Sequence, residues 1–326
     1  MFDLPAPLRL AADRLMQGVS RRDMAERASA ISARYRAGGT SAGVVGSEAD
    51  ATAYVLTRLP ATYAACARAF AEAAERAPHF NPASLLDAGA GPGGAGWAAL
   101  ETWPAVRQAT LLDSNRAFLD MAAILAVEGP GPLREAERRK GDLTAPADWP
   151  QADLVVASYA LAEIAPAKQA ATVTGLWAAT DGLLVIVEPG TPAGYARILA
   201  ARETLIAAGS AILAPCPHSQ ACPLVAPDWC HFSQRLARSR DHRLAKGGEV
   251  PFEDEKFSYL VAARPSVEVL TPTARVLAPP RMAKPGIDLK LCTVDGRAEV
   301  SFVPRRDKPA YAVARRLDWG DALPSD

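Results

Sequence analysis

One stretch of the chain, residues 84–94, has the sequence SLLDAGAGPGG, in which a short apolar run leads into a loop with four glycines. Glycine is needed where a backbone turns tightly and approaches a ligand without a Cβ in the way, and the start of a following helix adds oriented N–H groups. A dinucleotide site has the spacing G-x-G-x-x-G. Here an acid, Asp87, precedes G-x-G-x-G, and Pro92 removes one N–H group that a pyrophosphate would need. The spacing therefore favours a smaller nucleoside ligand.

Short apolar runs alternate with helical stretches downstream of this loop. The apolar runs cover residues 85–89, 109–113, 153–157 and 183–188, and the helix candidates cover residues 95–102, 115–127, 166–178 and 193–208. Strands that are apolar throughout and separated by helices indicate a parallel sheet with both faces covered. We therefore expect a doubly wound α/β domain of the Rossmann-like type.

The 326 residues are enough for about two domains. Residues 1–80 are rich in helix formers and predict an N-terminal helical region. The α/β domain is expected over 81–265, with a Cys-rich insertion at 210–250. Residues 266–326 predict a small β domain, in which Asp295-Gly296 forms a tight hairpin turn with positive φ at both central residues.

The composition excludes two broad classes of protein. Hydrophobic residues make up 49% of the chain and charged residues 22%, which rules out a wholly disordered chain. No apolar run approaches the roughly 20 residues that span a bilayer, and the first residues form no basic and apolar leader. We therefore expect no membrane partner and a cytoplasmic location.

The net charge is zero, but basic residues are concentrated in two segments. Residues 231–250 carry five Lys or Arg against two Asp or Glu, and residues 275–316 carry ten against four. The neutral whole gives no reason to expect DNA as a partner. A locally basic C-terminal third suits contact with phosphate, although a solvated arginine-rich surface has the same composition.

Four of the five cysteines fall in the insertion and the tail. Cys216, Cys222 and Cys230 lie within fifteen residues that are rich in proline, and Cys292 follows in the predicted β domain. Thiolates in sets of four hold zinc or iron–sulfur clusters. The spacing C-x5-C-x7-C differs from the paired C-x2-C of zinc ribbons and favours a cluster over zinc.

Other assignments of these cysteines remain open. A Cys3His zinc site that uses His218 or His231 fits the same segment. A metal-free assignment of the four thiols is the further alternative. Cys66 stands in an alanine-rich helical run and is predicted to be a small buried hydrophobe.

The D-x-G-x-G-x-G pattern that begins at Asp87 resembles motif I of the class I S-adenosylmethionine-dependent methyltransferases. The resemblance implies that Asp87 lies near the methionine end of the cofactor, that Asp113 accepts the ribose hydroxyls and that Asp142 contacts the adenine amino group. The alternative is that Asp113 and Asp142 are only turn residues or helix caps. The full cofactor-binding set that the resemblance implies is Asp87, Gly89, Gly91, Gly93, Asp113, Asp142, Leu143 and Ser158.

The sequence contains no familiar motif that identifies the acceptor of a methyl group. The segment 157–163 lacks the Asn or Asp, Pro-Pro and aromatic sequence of methyltransferases that act on amino groups of bases. No cysteine has the spacing of a carbon-5 pyrimidine methyltransferase. Tyr159 and Glu163 are assigned to packing or helix capping rather than to substrate contact. Whether the chain transfers methyl groups stays open.

A wider set of segments resembles the methyltransferase-like assembly factors of the mitochondrial small ribosomal subunit and their bacterial relatives. These segments are residues 58–65, 187–194, 214–218, 228–232, 253–259 and 291–297. The resemblance covers most of the chain from about residue 50. It implies a [4Fe-4S] cluster held by Cys216, Cys222, Cys230 and Cys292, which would tie the tail to the α/β domain.

The same resemblance implies association with the small ribosomal subunit through rRNA. The implied phosphate contacts are Arg235, Arg238, Arg240, Arg243, Arg305 and Arg306. As a bacterial relative, the chain is expected in the bacterial cytoplasm. Two alternatives remain: an active methyltransferase acting on RNA, protein or a small molecule with a structural zinc, and a zinc-stabilised RNA-binding module. The basic C-terminal third favours the assembly factor over a small-molecule enzyme.

Overall fold

Four helices precede the first strand of the computed structural model, which describes residues 3–36, 39–41, 43–145, 149–246 and 249–323. The helices are α1 (Ala6–Leu15), α2 (Arg21–Arg36), α3 (Glu48–Thr57) and α4 (Leu59–Arg76). Helix α3 begins with a capping box, because the Ser47 hydroxyl accepts from the Asp50 N–H and the Asp50 carboxylate accepts from the Ser47 N–H. No helix in these described ranges is long and apolar enough to cross a membrane.

Eight strands form one mixed sheet. They are β1 (Ser84–Ala88), β2 (Gln108–Asp113), β3 (Glu137–Lys140), β4 (Ala152–Ser158), β5 (Thr180–Pro189), β6 (Ala211–Ala214), β7 (Phe232–Ala237) and β8 (Phe252–Ala263). The order is β3-β2-β1-β4-β5-β8-β6, and β7 also pairs with β8. Strands β1 to β5 are parallel, whereas β8 is antiparallel to β5, β6 and β7.

The expected Rossmann-like α/β architecture is confirmed, and the four apolar runs predicted as parallel strands are parallel, but the complete sheet is mixed because β8 is antiparallel to β5. Strand β8 runs antiparallel to β5 along one edge, and β6 and β7 both pair antiparallel with β8 along its other edge. The mixed edge is therefore formed by the insertion that follows β6.

Helices cover both faces of the sheet, which explains why its strands are apolar throughout. They are α5 (Gly94–Thr102), α6 (Arg116–Ala126), α7 (Gly131–Arg134), α8 (Pro166–Ala178) and α9 (Pro192–Ala207), with α10 (Arg240–Lys246) between β7 and β8. Consecutive residues of β4 point to opposite cores. Val156 packs in the core that includes α4, α5 and α6, and Val155 packs in the core that includes α8 and α9.

The tail forms a second, five-stranded sheet with one helix. Its elements are β9 (Ala274–Val276), β10 (Arg281–Met282), β11 (Gly286–Thr293), β12 (Ala298–Pro304), α11 (Lys308–Ala314) and β13 (Ala322–Leu323). The predicted two-residue turn between β11 and β12 is wrong. Residues 294–297 separate the strands, and of Asp295 and Gly296 only the glycine has a positive φ, at 79°. A longer loop needs only one left-handed residue.

A buried arginine joins the tail to the rest of the molecule. Arg275 of β9 is 1% exposed. Its guanidinium donates to the Glu72 carboxylate of α4 at 2.5 Å, to the Pro215 carbonyl at 2.9 Å and to the Gly320 carbonyl at 2.6 Å. Glu72 also pairs with Arg68 at 3.1 Å. Because Arg275 is buried and Glu72 is the carboxylate paired with it, the charge of Arg275 depends on Glu72 for compensation.

We predict that Glu72→Gln lowers the free energy of unfolding by about 3–5 kcal/mol, because the Arg275 charge is then left buried without its partner. Urea denaturation measures this loss. The matched control is Asp120→Asn, which removes an exposed ion pair with Arg116 and should cost less than about 1 kcal/mol. Equal losses in the two variants would show that the buried pair has no special role.

Candidate functional site

The glycine-rich loop lies at the carboxyl end of β1 and leads into α5. Gly89, Gly91 and Gly93 have positive φ values of 80°, 53° and 85°, a conformation that other residues adopt only with strain. The loop is held against β2, because the N–H groups of Gly89 and Ala90 donate to the Leu112 carbonyl at 2.8 and 3.0 Å. This arrangement presents the backbone of the loop at the edge where open α/β sheets bind ligands.

Asp87 is fully buried at the end of β1. Its Oδ2 accepts from the Gly96 N–H at 3.1 Å, whereas its Oδ1 has no hydrogen-bond partner. Burial raises the pKa of Asp87 to about 7, and the bond from Gly96 only partly opposes this. Since buried polar atoms are normally paired, Oδ1 is an acceptor that a ligand or its water could satisfy.

Asp113 at the end of β2 orders the same loop. Its Oδ2 accepts from the Gly91 N–H at 2.7 Å and its Oδ1 from the Asn115 N–H at 2.7 Å. Burial raises its pKa to about 6. Each carboxylate oxygen has a second lone pair, so this carboxylate can still accept hydroxyl donors.

The space around the loop differs from one glycine to the next. A Cβ added at Gly91 would meet nothing within 4 Å, so this position faces open space. A Cβ added at Gly89 would come within 2.7 Å of the Ala160 Cβ and 3.2 Å of Leu143 Cδ1. The loop is therefore open to a ligand at Gly91, whereas at Gly89 it packs against Ala160 and Leu143.

The remaining predicted cofactor residues follow neighbouring strands at the same edge. Leu143 packs against Gly89, and Ser158 is the last residue of β4. Asp142 lies just beyond β3 and is exposed. Its carboxylate accepts from the Thr144 N–H at 2.8 Å, which lowers its pKa. The structure thus brings the predicted residues to the ends of β1 to β4.

Part of the N-terminal region covers this edge, which no sequence pattern predicted. The Glu163 carboxylate accepts from the N–H and the hydroxyl of Ser41, at 3.0 and 2.9 Å. The Asn115 side-chain amide donates to the Val45 carbonyl at 2.8 Å. The segment that contains Ser41 and Val45 is therefore anchored beside the loop.

Tyr159 follows β4 with a positive φ of 56°, which is rare for a residue other than glycine. Its hydroxyl donates to the Glu255 carboxylate at 2.8 Å. Burial raises the pKa of Tyr159 well above its usual range. Tyr159 and Glu163 are thus both engaged in internal bonds, in keeping with the packing assignment.

The four cysteines predicted as ligands line a single pocket. Cys216 follows β6, Cys222 and Cys230 lie in the irregular loop before β7, and Cys292 lies on β11 of the tail. All four are free thiols. Among the residues that the structure describes, no three His, Cys, Asp or Glu side chains are arranged as a ready metal site. The metal-binding character of the insertion therefore stays a prediction.

Polar side chains surround the thiols. The Tyr195 hydroxyl lies 3.1 Å from Cys222 Sγ, and His218 Nε2 lies 3.4 Å from Cys292 Sγ. Two buried arginines, Arg202 and Arg275, line the same pocket. His231 stacks on Trp229 and meets Trp319 edge-on, so it packs between rings beside the loop.

Electrostatics couple the thiols to one another and to the arginines. Burial raises the pKa values of Cys216 and Cys230, and raises that of Cys292 to about 12. Neighbouring cysteines raise these values further, whereas the charges of Arg202 and Arg275 oppose the rise for Cys216 and Cys292. The two guanidinium groups therefore do not suffice to keep all four cysteines deprotonated, and four thiolates in this pocket need further positive charge.

The predicted phosphate contacts are not equally available. Arg235 forms two hydrogen bonds to Asp254, and Arg238 pairs with Glu253. Arg305 and Arg306 follow β12 and are exposed, and no carboxylate in the described ranges forms an ion pair with either. Arg240 is also exposed, and Arg243 is half-buried.

Exposed apolar side chains precede Arg305 and Arg306 in the chain. Val300 and Phe302 of β12 are 68% and 50% exposed. Within the part of the chain that the structure describes, strand β12 pairs with β11 and no other strand, so it is an edge strand of the tail sheet. This basic and apolar edge is defined by Val300, Phe302, Arg305 and Arg306.

Comparison with known proteins identifies the family. Residues 48–324 match the family described as "Mitochondrial small ribosomal subunit Rsm22". The chain belongs to this family. This confirms the assembly-factor resemblance that the segments from residue 58 to residue 297 predict. The match spans the end of the helical region, the α/β domain and the tail.

Named relatives of the Rsm22 family are longer than this chain. "Ribosome assembly protein METTL17, mitochondrial" from Homo sapiens is 30% identical over an alignment of 294 residues, and the match covers 83% of this chain and 62% of that protein. "Rsm22-cox11 tandem protein 2, mitochondrial" from Schizosaccharomyces pombe is 27% identical over an alignment of 290 residues, and the match covers 74% of this chain and 38% of that protein. The chain thus spans less than two thirds of either relative.

Solved structures with a similar fold include methyltransferases. Magnesium protoporphyrin IX methyltransferase from Synechocystis PCC 6803 has a TM-score of 0.42 and 14% identity, covering 63% of this chain and 83% of that one. A putative RNA methyltransferase from Pyrococcus horikoshii has a TM-score of 0.40 and 11% identity, covering 61% and 81%. Likeness at this level carries no inference about ligand or reaction.

The expected bacterial cytoplasmic location is wrong on this comparison. The matching family is described as mitochondrial, and so are the human and Schizosaccharomyces pombe relatives. The expectation rested on the lack of an apolar leader or membrane segment and on the resemblance to bacterial relatives of the family. Mitochondrial targeting segments are instead amphipathic and arginine-rich, so the lack of an apolar segment does not bear on them.

We predict that the free energy of unfolding falls as the pH rises from about 4 to about 7, because the folded protein keeps protons on Asp87 and Asp113 that the unfolded chain has released. Asp87→Asn keeps an acceptor for the Gly96 N–H but does not titrate. Urea denaturation of this variant should show a shallower fall, with stability above that of the wild type beyond about pH 7.

The matched control is Asp142→Asn. Because hydrogen bonds from Thr144 lower the pKa of Asp142, its titration lies below this pH range and the variant should keep the wild-type slope. A wild-type slope in Asp87→Asn as well would contradict the assignment of the titration to Asp87.

Proposed function

We propose that this chain is an assembly factor of the small ribosomal subunit that binds S-adenosylmethionine and carries a [4Fe-4S] cluster. The observation that carries the proposal is the convergence of Cys216, Cys222, Cys230 and Cys292 on one pocket, although Cys292 comes from the tail and the other three from the insertion. Membership of the Rsm22 family supports the ribosomal partner.

The glycine loop supports the cofactor part of the proposal. S-adenosylmethionine would lie over the open backbone at Gly91, with Asp113 accepting its ribose hydroxyls and Asp142 near its adenine. The unpartnered Oδ1 of Asp87 and the vacant space at Gly91 fit a ligand at this edge. When bound, the cofactor supplies an electrophilic methyl group. The residues of the chain bind and orient it, and no residue is assigned to the acceptor.

The donor set of the cysteine pocket suits an iron–sulfur cluster. Four thiols are the ligands that a [4Fe-4S] cluster takes. Held by these four residues, the cluster would crosslink β11 of the tail to the loop between β6 and β7. Its role in the proposal is structural, because it fixes the tail against the α/β domain.

The basic and apolar edge of the tail is the proposed rRNA contact. Arg305 and Arg306 offer charges that no carboxylate of the described chain balances, and Phe302 offers an aromatic ring on which a base can stack. Arg235 and Arg238 are weaker candidates, because acids already pair with them. The tail would therefore dominate the contact with phosphate.

We predict that Gly91→Ala weakens S-adenosylmethionine binding about tenfold or more in calorimetry, because its methyl group enters the proposed cofactor space. Gly18→Ala is the matched control, since Gly18 also has a positive φ, of 75°, and open space around it. The control carries the same backbone strain but should bind like the wild type. Equal affinity in all three proteins would exclude Gly91 from the cofactor site.

We predict roughly four irons and four acid-labile sulfides per chain after anaerobic purification, as a [4Fe-4S] cluster requires. Cys216→Ser and Cys292→Ser should each lose most of both. Cys66→Ala is the control, because Cys66 is buried in α4 away from the pocket and should leave the content unchanged. One zinc per chain without sulfide would contradict the cluster and would show that the protein holds a structural zinc instead.

We predict that the double variant Arg305→Ala/Arg306→Ala co-sediments less with small ribosomal subunits and depends less steeply on salt. Each lost phosphate contact should reduce the slope of log affinity against log salt by about 0.7 to 0.9. Arg235→Ala is the control, because Asp254 already balances that charge. If the double variant binds like the wild type at every salt concentration, the tail edge is not the contact.

A further inference from the structure

Arg202 is a buried charge without a carboxylate partner. It lies on α9, is 3% exposed and lines the cysteine pocket. Its Nη2 donates to the carbonyl oxygens of His218 and Gln220, at 2.8 and 2.7 Å, and its Nε has no partner. Across the described ranges, no carboxylate lies within ion-pairing distance of its guanidinium.

The other buried guanidinium of the pocket is balanced. Arg275 pairs with Glu72, which leaves only its Nη2 without a partner. A buried charge is costly unless an opposite charge accompanies it, and backbone carbonyls compensate it only in part. The wall of the pocket therefore carries one excess positive charge, at Arg202.

The groups that face this charge are thiols. Arg202 lines the same pocket as Cys216, Cys222, Cys230 and Cys292. Tyr195 and His218 are the remaining polar side chains beside the sulfurs. Four thiolates carry more negative charge than one zinc ion or an iron–sulfur core neutralises, so a loaded pocket is anionic.

We propose that Arg202 is the countercharge of the metal group in the cysteine pocket and holds that group through a hydrogen bond from its unpartnered Nε–H to sulfur. This inference rests on the proposed function, because it requires a metal group bound by the cysteines. Arg202 is a positioning residue, since it acts on the sulfurs and not on the metal. Groups of this kind commonly contribute 10- to 100-fold to metal affinity.

The proposal predicts opposite effects on the loaded and the stripped protein. In the loaded protein, Arg202→Met removes the countercharge, so the metal group should be lost faster. In the stripped protein, the same change removes a buried charge that nothing balances, so the thermal midpoint should stay the same or rise. A purely structural arginine, which only ties two carbonyls together, would lower both midpoints.

Arg264→Met is the matched control. Arg264 also donates to two backbone carbonyls, those of Thr180 and Trp177, and it stacks on the Trp177 ring away from the cysteines. This variant should lower the midpoints of the loaded and the stripped protein alike and leave the rate of metal loss unchanged. Arg202→Lys keeps the charge without the guanidinium geometry and should lose the metal group at an intermediate rate.

The experiment uses the full chain, purified anaerobically and assayed before and after stripping with a chelator. It measures the rate of iron, sulfide or zinc release in excess chelator and the thermal midpoint of each state. We expect release from Arg202→Met to be about tenfold faster than from the wild type or faster still. If Arg202→Met releases metal at the wild-type rate and both of its midpoints fall equally, the proposed role of Arg202 is wrong, while the proposed cluster is unaffected. A wild-type protein without metal or sulfide would overturn the proposed cluster and this inference together.

Discussion

The guanidinium of Arg275 holds the three parts of the molecule together. It contacts Glu72 in the helical region, Pro215 in the insertion and Gly320 in the tail, and it is almost completely buried. Burial of a charge at this junction is tolerable only when all these partners are in place. The position of the tail sheet, and with it that of Cys292, therefore depends on this arginine.

The two candidate sites occupy different regions of the α/β domain. The glycine loop and its acids lie at the carboxyl ends of β1 to β4, where the parallel strands end. The cysteine pocket lies between α9, the antiparallel strand β8 and the tail. The first region is typical of nucleoside binding in α/β folds. The second exists only because β8 returns antiparallel and the insertion meets the tail there.

The sequence predicted the helices and strands of the core better than it predicted which strands pair and in which direction. The alternation of apolar runs and helices gave the Rossmann-like core, because buried parallel strands need apolar residues on both faces. The direction of β8 was missed, because a strand's own residues do not encode which neighbour it pairs with. The turn at Asp295-Gly296 was missed for a related reason, since loop length is set by the register of β11 and β12. The grouping of the four cysteines came from their positions in the sequence and the [4Fe-4S] assignment from the family resemblance, whereas the buried Arg202 and Arg275 look like any surface arginine in the sequence.

The central claim is that an occupant of the cysteine pocket fixes the tail against the α/β domain. Hydrogen exchange of the tail, compared between the anaerobically purified protein and the same protein stripped by a chelator, tests this claim most directly. The account predicts that the amides of β9 and β11 lose protection on stripping, while those of β1 and β4 keep theirs. Unchanged protection throughout the tail would contradict it, because the tail would then be held by its protein contacts alone.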